Sequence, residues 1–112
     1  FNSWILSKSL ETLSVRMEKH CDNALKLAQH LEKHPEIDKV IYPFLPNFPQ
    51  YELAKKQMRL GGGLVTFLVK GGIERGRHFL NALEMASFSA NLGDTRTIAA
   101  HPASTTHSKL TD

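Results

Sequence analysis

The stretch NLGDTRTIAAHPASTTHSKL, Asn91 to Leu110, sets two histidines, an acid and a run of hydroxyls side by side. His101 and His107 with Asp94 could form a metal-ligand set, or a Ser-His-Asp arrangement with Ser104 or Ser108. The G-x-S-x-G turn that raises a nucleophilic serine is absent, and triad geometry is set in three dimensions, not by neighbourhood in sequence. Nothing in the segment specifies a hydrolase. His30 and His34 are one helical turn apart, as in a zinc-binding helix, but Glu32 stands midway between them. The order H-E-x-x-H is therefore missing and no third ligand is indicated. Two histidines in the last turn of a helix are matched to its macrodipole without any metal. Gly61-Gly62-Gly63 precede a strand, the reverse of a phosphate loop, which follows a strand and opens a helix. They read as a turn. No residue of the chain is assigned as catalytic, cofactor-binding or metal-ligating on these grounds.

The elements that must position this segment follow from periodicity and breakers. From Leu10 to His34 the residues Leu10, Leu13, Met17, Ala24, Leu27, Ala28 and Leu31 recur at steps of three and four, with charged residues opposite. A long amphipathic helix is expected, ended by Pro35, with Ser9 as candidate N-cap and another turn or two of helix in FNSWILSKS. DKVIY reads as a short strand and PFLPNFPQ, with Pro43, Pro46 and Pro49, as an extended loop. QYELAKKQM is a short helix, LVTFLVK a strand closed by Gly71-Gly72, IERGRHFLNALEM a helix despite Gly76, and ASFSANLG a third strand. The expected class is α+β, a small mainly antiparallel sheet with helices packed on one face, preceded by the long amphipathic helix.

Composition bounds the remaining classes. With 112 residues and 41% hydrophobic content the chain suits one modest domain, 1–112. The net charge of +3 comes from alternating signs, as in RMEKHCDNALK, and not from a one-sign block, so no nucleic-acid partner is expected. The apolar runs are too short to span a membrane, and none is expected as a partner. The single cysteine, Cys21, cannot form an internal disulfide and suits a reducing, cytoplasmic setting. The chain starts at Phe1 and stops just after a polar stretch, so both ends read as cut from a longer polypeptide.

Taken whole, Leu-Gly-Asp after a strand, followed by a hydroxyl-rich loop through His-Pro-Ala-Ser-Thr-Thr-His, resembles the C-terminal domain of the Cys/Met-metabolism pyridoxal-phosphate enzymes. That family includes cystathionine synthases and lyases, methionine γ-lyase and the O-acyl-homoserine sulfhydrylases. The likeness covers nearly the whole chain. FNSWILSKSLETLSVRMEKHCDNALKLAQHLEKHP resembles the family's entry helices, YPFLPNFPQYELAKKQM its middle and GGGLVTF its central strand.

The resemblance implies a longer enzyme in which an upstream domain of the same chain holds pyridoxal 5'-phosphate, with its Schiff-base lysine, phosphate-binding residues and stacking aromatic. The family's substrate-carboxylate arginine would lie beyond Asp112. It further implies a cytoplasmic homotetramer acting on a small amino-acid substrate. By position, Asn91 matches the family's frequent serine before Leu-Gly, beside the substrate carboxylate, and Thr106 matches the threonine of the Thr-His pair that approaches the same pocket. Both are expected to bind substrate. Asn91 in place of serine is closer to the sulfhydrylase branch, which makes homocysteine from O-succinyl- or O-acetyl-homoserine and a sulfur donor, than to the lyase branch. Cystathionine γ-synthase, methionine γ-lyase, or a binding module without catalysis are the alternatives. An amide offers a donor and an acceptor, although Asn91 could also serve only as a strand cap. Asp94 and Arg96 are expected to pair and hold the loop, and His101 before Pro102 to be a fixed loop residue.

Overall fold

In the computed structural model, which describes residues 1–109, the stretch expected to run unbroken from Leu10 to His34 is divided between two helices, α1 (Asn2–Glu11) and α2 (Leu13–Leu31). Leu110, the last residue of the hydroxyl-rich stretch, and Thr111-Asp112 lie outside the described residues. The break falls at Thr12, and Ser9, the expected N-cap, lies inside α1. Arg16 bridges the break. Its Nη2 donates to the Ser9 carbonyl at 2.7 Å and its Nε to Thr12 Oγ1 at 3.2 Å, so a charged donor satisfies a carbonyl that the interrupted ladder leaves open. At its other end α2 stops before His34. Lys33 N–H reaches His30 O at 3.2 Å and His34 N–H reaches Leu31 O at 3.0 Å, a tightening into i→i+3 turns as Pro35 approaches.

The helix α2 buries Cys21, Ala24 and Ala28. These small side chains let β1 (Ile37–Ile41) and the residues after it come close, and Ala24, Ala28, Val40, Tyr42 and Leu45 form one buried cluster, with Leu25, Leu31, Phe44 and Phe67 packed around it. The expected stripe is buried only in this C-terminal half, since Leu10, Leu13, Met17 and Leu27 are exposed. No residue of α1 is buried; Trp4 is 60% exposed and Leu6 66%. After the proline-rich loop, α3 (Tyr51–Gln57) buries Ala54, and Lys55 Nζ lies 4.7 Å from the centre of the Phe44 ring, a cation–π contact. β2 (Thr66–Val69) pairs with β1 in a two-stranded ladder.

Tyr42 closes this first unit, Phe1–Leu68. It is 1% exposed, and its hydroxyl donates to Gly62 O at 2.9 Å, with Cys21 O a further 3.4 Å contact. One phenol thereby joins α2, the end of β1 and the glycine turn ahead of β2. Gly61 belongs to this arrangement through its missing side chain: a Cβ there would stand 2.6 Å from the Tyr42 oxygen.

The second unit, from Val69 onward, contains α4 (Gly72–Asn81), β3 (Ser87–Phe88), β4 (Ile98–Ala99) and a 3₁₀ turn (Pro102–Ser104). The α+β class expected from the sequence holds. The strands form two two-stranded ladders, and β3 pairs with β4 in parallel, Ser87 opposite Ile98 and Phe88 opposite Ala99. The third strand, expected across ASFSANLG, is only Ser87–Phe88, because the chain turns away at once into a glycine-containing loop. Among the described residues no helix is long and apolar enough to cross a membrane.

Removing the Tyr42 hydroxyl leaves the half-buried Gly62 carbonyl without its donor, so Tyr42→Phe should destabilise the chain by about 1–3 kcal/mol in urea unfolding. Gly61→Ala should cost a similar amount, about 1–3 kcal/mol, through overpacking against the same ring. Burial, with the Cys21 charge adding to it, pushes the Tyr42 phenol above its ordinary value of 10.0. The fold thus favours the protonated form, whose contribution is complete below the ordinary value and lost as pH rises through the raised one. The stability of Tyr42→Phe should therefore fall less steeply above about pH 10 than that of the unsubstituted chain.

Candidate functional site

Parallel pairing decides what the β3–β4 ladder can present. Ser87 N–H donates to Thr97 O at 2.9 Å and Ser89 N–H to Ala99 O at 3.2 Å. Both strands then run out at the same end, β3 into Ala90-Asn91 and β4 into Ala100-His101. In an antiparallel pair these two exits would lie at opposite ends. The strands are short enough for residues 89–97 to make the return without a helix, turning at Gly93 with φ +83°.

Asn91 is exposed at the first exit. Its backbone N–H faces Ser89 Oγ at 3.4 Å, and among the described residues its side-chain amide has no hydrogen-bond partner. The amide does not cap β3. Beyond it, Asp94 and Arg96 form the expected pair. Arg96 Nη2 lies 2.8 Å from Asp94 Oδ2, its Nε 3.2 Å from Oδ1, and its backbone N–H donates to Oδ1 at 2.9 Å. These hydrogen bonds, the guanidinium's first, hold the Asp94 carboxyl at about 2 instead of 3.8 and raise Arg96 in turn.

At the second exit the chain folds into a turn whose groups bond one another. His107 N–H donates to Pro102 O at 2.9 Å, and Thr105 Oγ1 donates to His101 O at 2.9 Å. His101 Nδ1 and Ser104 Oγ are 2.7 Å apart, and both residues are half-buried. The other edge of the His101 ring rests on α4 at Gly76, where a Cβ would stand 2.7 Å from Nε2. His101 is thus wedged between a helix and its own loop. Sequence reasoning did not assign Gly76; its signal was a glycine inside a helical pattern, which often marks a close approach. Thr106 is exposed, its Oγ1 2.8 Å from Nδ1 of His107, also exposed.

These contacts divide the groups named above for a triad or a metal site. Asp94 is engaged by Arg96, His101 by Ser104 and His107 by Thr106. His34 Nδ1 accepts the Glu36 N–H at 3.2 Å, and the His30 and His34 ring centres are 6.5 Å apart. Among the described residues no three histidine, cysteine, aspartate or glutamate side chains are grouped to hold a metal ion. What the second unit does offer is an exposed amide, Asn91, after one strand of the small ladder and a hydroxyl-rich turn bearing Thr106 after the other. Two clefts of the first unit, about 450 Å³ beside Pro46–Leu53 and about 220 Å³ beside Cys21, Tyr42 and Gly61, include neither Asn91 nor Thr106.

The lowered Asp94 value makes the loop acid-sensitive in a defined direction. Its contribution is complete above 3.8 and is lost as pH falls toward about 2. A carboxyl-carbon NMR titration should place Asp94 near the lower value, and Arg96→Gln should return it toward the ordinary one. Gly76→Ala gains about 1 kcal/mol of helix propensity but crowds the imidazole, at an overpacking cost of about 1–3 kcal/mol. It should lower stability on balance and shift the His101 ring resonances, whereas an alanine tolerated with unshifted resonances would contradict the wedge.

Residues 1–112 match the family described as Cys/Met metabolism PLP-dependent enzyme. The chain is 51% identical over 111 residues to an L-methionine gamma-lyase of Porphyromonas gingivalis, covering 99% of this chain and 28% of that protein. It is 48% identical over 110 residues to an O-succinylhomoserine sulfhydrylase of Pseudomonas aeruginosa, covering 98% of this chain and 27% of that protein. Among solved structures it is similar to the crystal structure of metB from Corynebacterium glutamicum, with a TM-score of 0.86 and 40% identity over 90% of this chain and 26% of that one. It spans little more than a quarter of the length of the curated relatives it matches. With both sequence and fold in agreement along the chain, it belongs to the Cys/Met metabolism PLP-dependent enzyme family.

Proposed function

We propose that this chain is the C-terminal, substrate-side part of a PLP-dependent homoserine-ester sulfhydrylase. The complete enzyme would convert O-succinyl- or O-acetyl-homoserine and a sulfur donor to homocysteine, sulfur replacing the acyloxy group at the γ-carbon. The observation that carries the reading is the parallel β3–β4 ladder, from one end of which Asn91 and the hydroxyl-rich loop bearing Thr106 both emerge. That arrangement suits one wall of a pocket for an amino-acid carboxylate, with neutral donors here and the compensating positive charge supplied by an arginine elsewhere in the enzyme.

Four lysines are engaged at the surface. Lys8 pairs with Glu11, Lys19 and Lys26 share Asp22, and Lys55 lies over Phe44. Membership of the family supports placing the cofactor's lysine and phosphate cradle in an upstream domain of the same polypeptide. When bound there, pyridoxal phosphate would supply the electron sink for the reaction. The complete enzyme is proposed to be a cytoplasmic homotetramer.

A methionine γ-lyase is the second reading, favoured by the 51% identity to such an enzyme. It shares the carboxylate wall and differs in its leaving group. Assays of the full-length enzyme separate the two: homocysteine formed from acyl-homoserine and sulfide supports the sulfhydrylase, while thiol released from methionine as the faster reaction supports the lyase.

In that enzyme Asn91→Ala should lower kcat/KM for the acyl-homoserine about ten- to a hundredfold, the effect of losing a hydrogen bond to a charged group. Asn91→Ser, which keeps a donor, should be milder and should raise elimination, measured with sulfide withheld, relative to replacement, measured with sulfide present. Unchanged kcat/KM in Asn91→Ala, with only stability reduced, would remove Asn91 from the substrate wall.

A further inference from the structure

The 2.8 Å contact between Thr106 Oγ1 and His107 Nδ1 bears on how the threonine can meet an anion. A hydroxyl carries one proton. If Thr106 donated that proton to a bare Nδ1, only its oxygen lone pairs would remain to face a carboxylate, and the encounter would be repulsive. If Nδ1 carries the proton, the threonine oxygen accepts it and the hydroxyl proton is left free to point outward. The two arrangements share one heavy-atom geometry and have opposite consequences for binding.

We infer that His107 is a positioning residue for the substrate carboxylate, donating Nδ1–H to Thr106 Oγ1 and so committing the threonine proton to the substrate. The inference rests on the proposed role of Thr106. The surrounding turn keeps the two side chains in register. His107 N–H is held by Pro102 O at 2.9 Å, Ser108 Oγ donates to Thr105 O at 3.0 Å, and Thr105 Oγ1 donates to His101 O at 2.9 Å. The turned backbone also brings neighbouring side chains together, which an extended strand would send to opposite faces. Accepting a hydrogen bond from the imidazole polarises the threonine hydroxyl and strengthens its own donation.

The test uses the full-length holoenzyme and an acyl-homoserine, with KM and kcat measured separately. Asparagine can place an amide N–H where Nδ1 stands, whereas glutamine can mimic only Nε2. We expect His107→Gln to raise KM about three- to tenfold, the size of one modest hydrogen bond, with little change in kcat. His107→Asn should restore KM to within about twofold. In a Thr106→Val background neither substitution should have a further effect, which a purely structural role for His107 would not produce. If Thr106→Val raises KM while His107→Gln does not, the inference fails and the placement of Thr106 stands. If Thr106→Val leaves KM unchanged, Thr106 is not on the substrate wall and the inference falls with it. Equal KM increases in both His107 variants that persist in the Thr106→Val background would assign His107 to folding alone and overturn the inference. The visible absorption of the bound cofactor reports that each variant is folded and loaded.

Discussion

Two strands of two residues each, paired in parallel, are the constraint on which the candidate site depends. A ladder this short contributes little stability, but its direction determines that the chain leaves β3 and β4 at a common end. Asn91 and the turn after His101 inherit their placement from that direction. The connection can be short because it has so little strand to cover, and the Asp94–Arg96 pair occupies the return path without reaching either histidine. The acid and base groups that look like a cluster in the sequence are thereby separated into local pairs.

The loop of the site and the core of the first unit use the same device. In each an aromatic ring rests on a glycine whose missing side chain is the space the ring occupies: Tyr42 on Gly61, and His101 on Gly76. The ring then spends a polar atom nearby, Tyr42 on the carbonyl of Gly62 and His101 on the hydroxyl of Ser104. An aromatic body gives the contact stiffness and the polar tip gives it a single orientation. For His101 the consequence is that Pro102–Ser104 is anchored at its start to α4, so the hydroxyls that follow are carried on a turn with a fixed origin.

Much of the fold was legible in the sequence because it rests on local rules. The spacing of Ala24, Ala28 and Leu31 marks the helix that builds the first core, Pro35 predicts its end, and Pro43, Pro46 and Pro49 exclude regular structure between β1 and α3. The break at Thr12 was not legible. It is accompanied by the reach of Arg16 to Ser9 and Thr12, a side-chain conformation that periodicity does not encode. Nor does periodicity tell whether an apolar stripe finds a cover: Leu10, Leu13 and Met17 follow the same spacing as the buried half and are exposed.

For the site, the sequence by itself determined which donors and acceptors are available, that Asp94 and Arg96 stand close enough to pair, and, through its resemblance to a family, that Asn91 and Thr106 are the candidates for binding substrate. Tertiary structure decided the rest. Alternation along a strand says which side chains share a face but nothing about the direction of the partner strand, so the common exit of the two loops could be read only from the pairing. The seating of His101 on Gly76 depends on residues far apart in sequence meeting at van der Waals distance, and close packing of that kind is a property of the folded chain and not of any local segment.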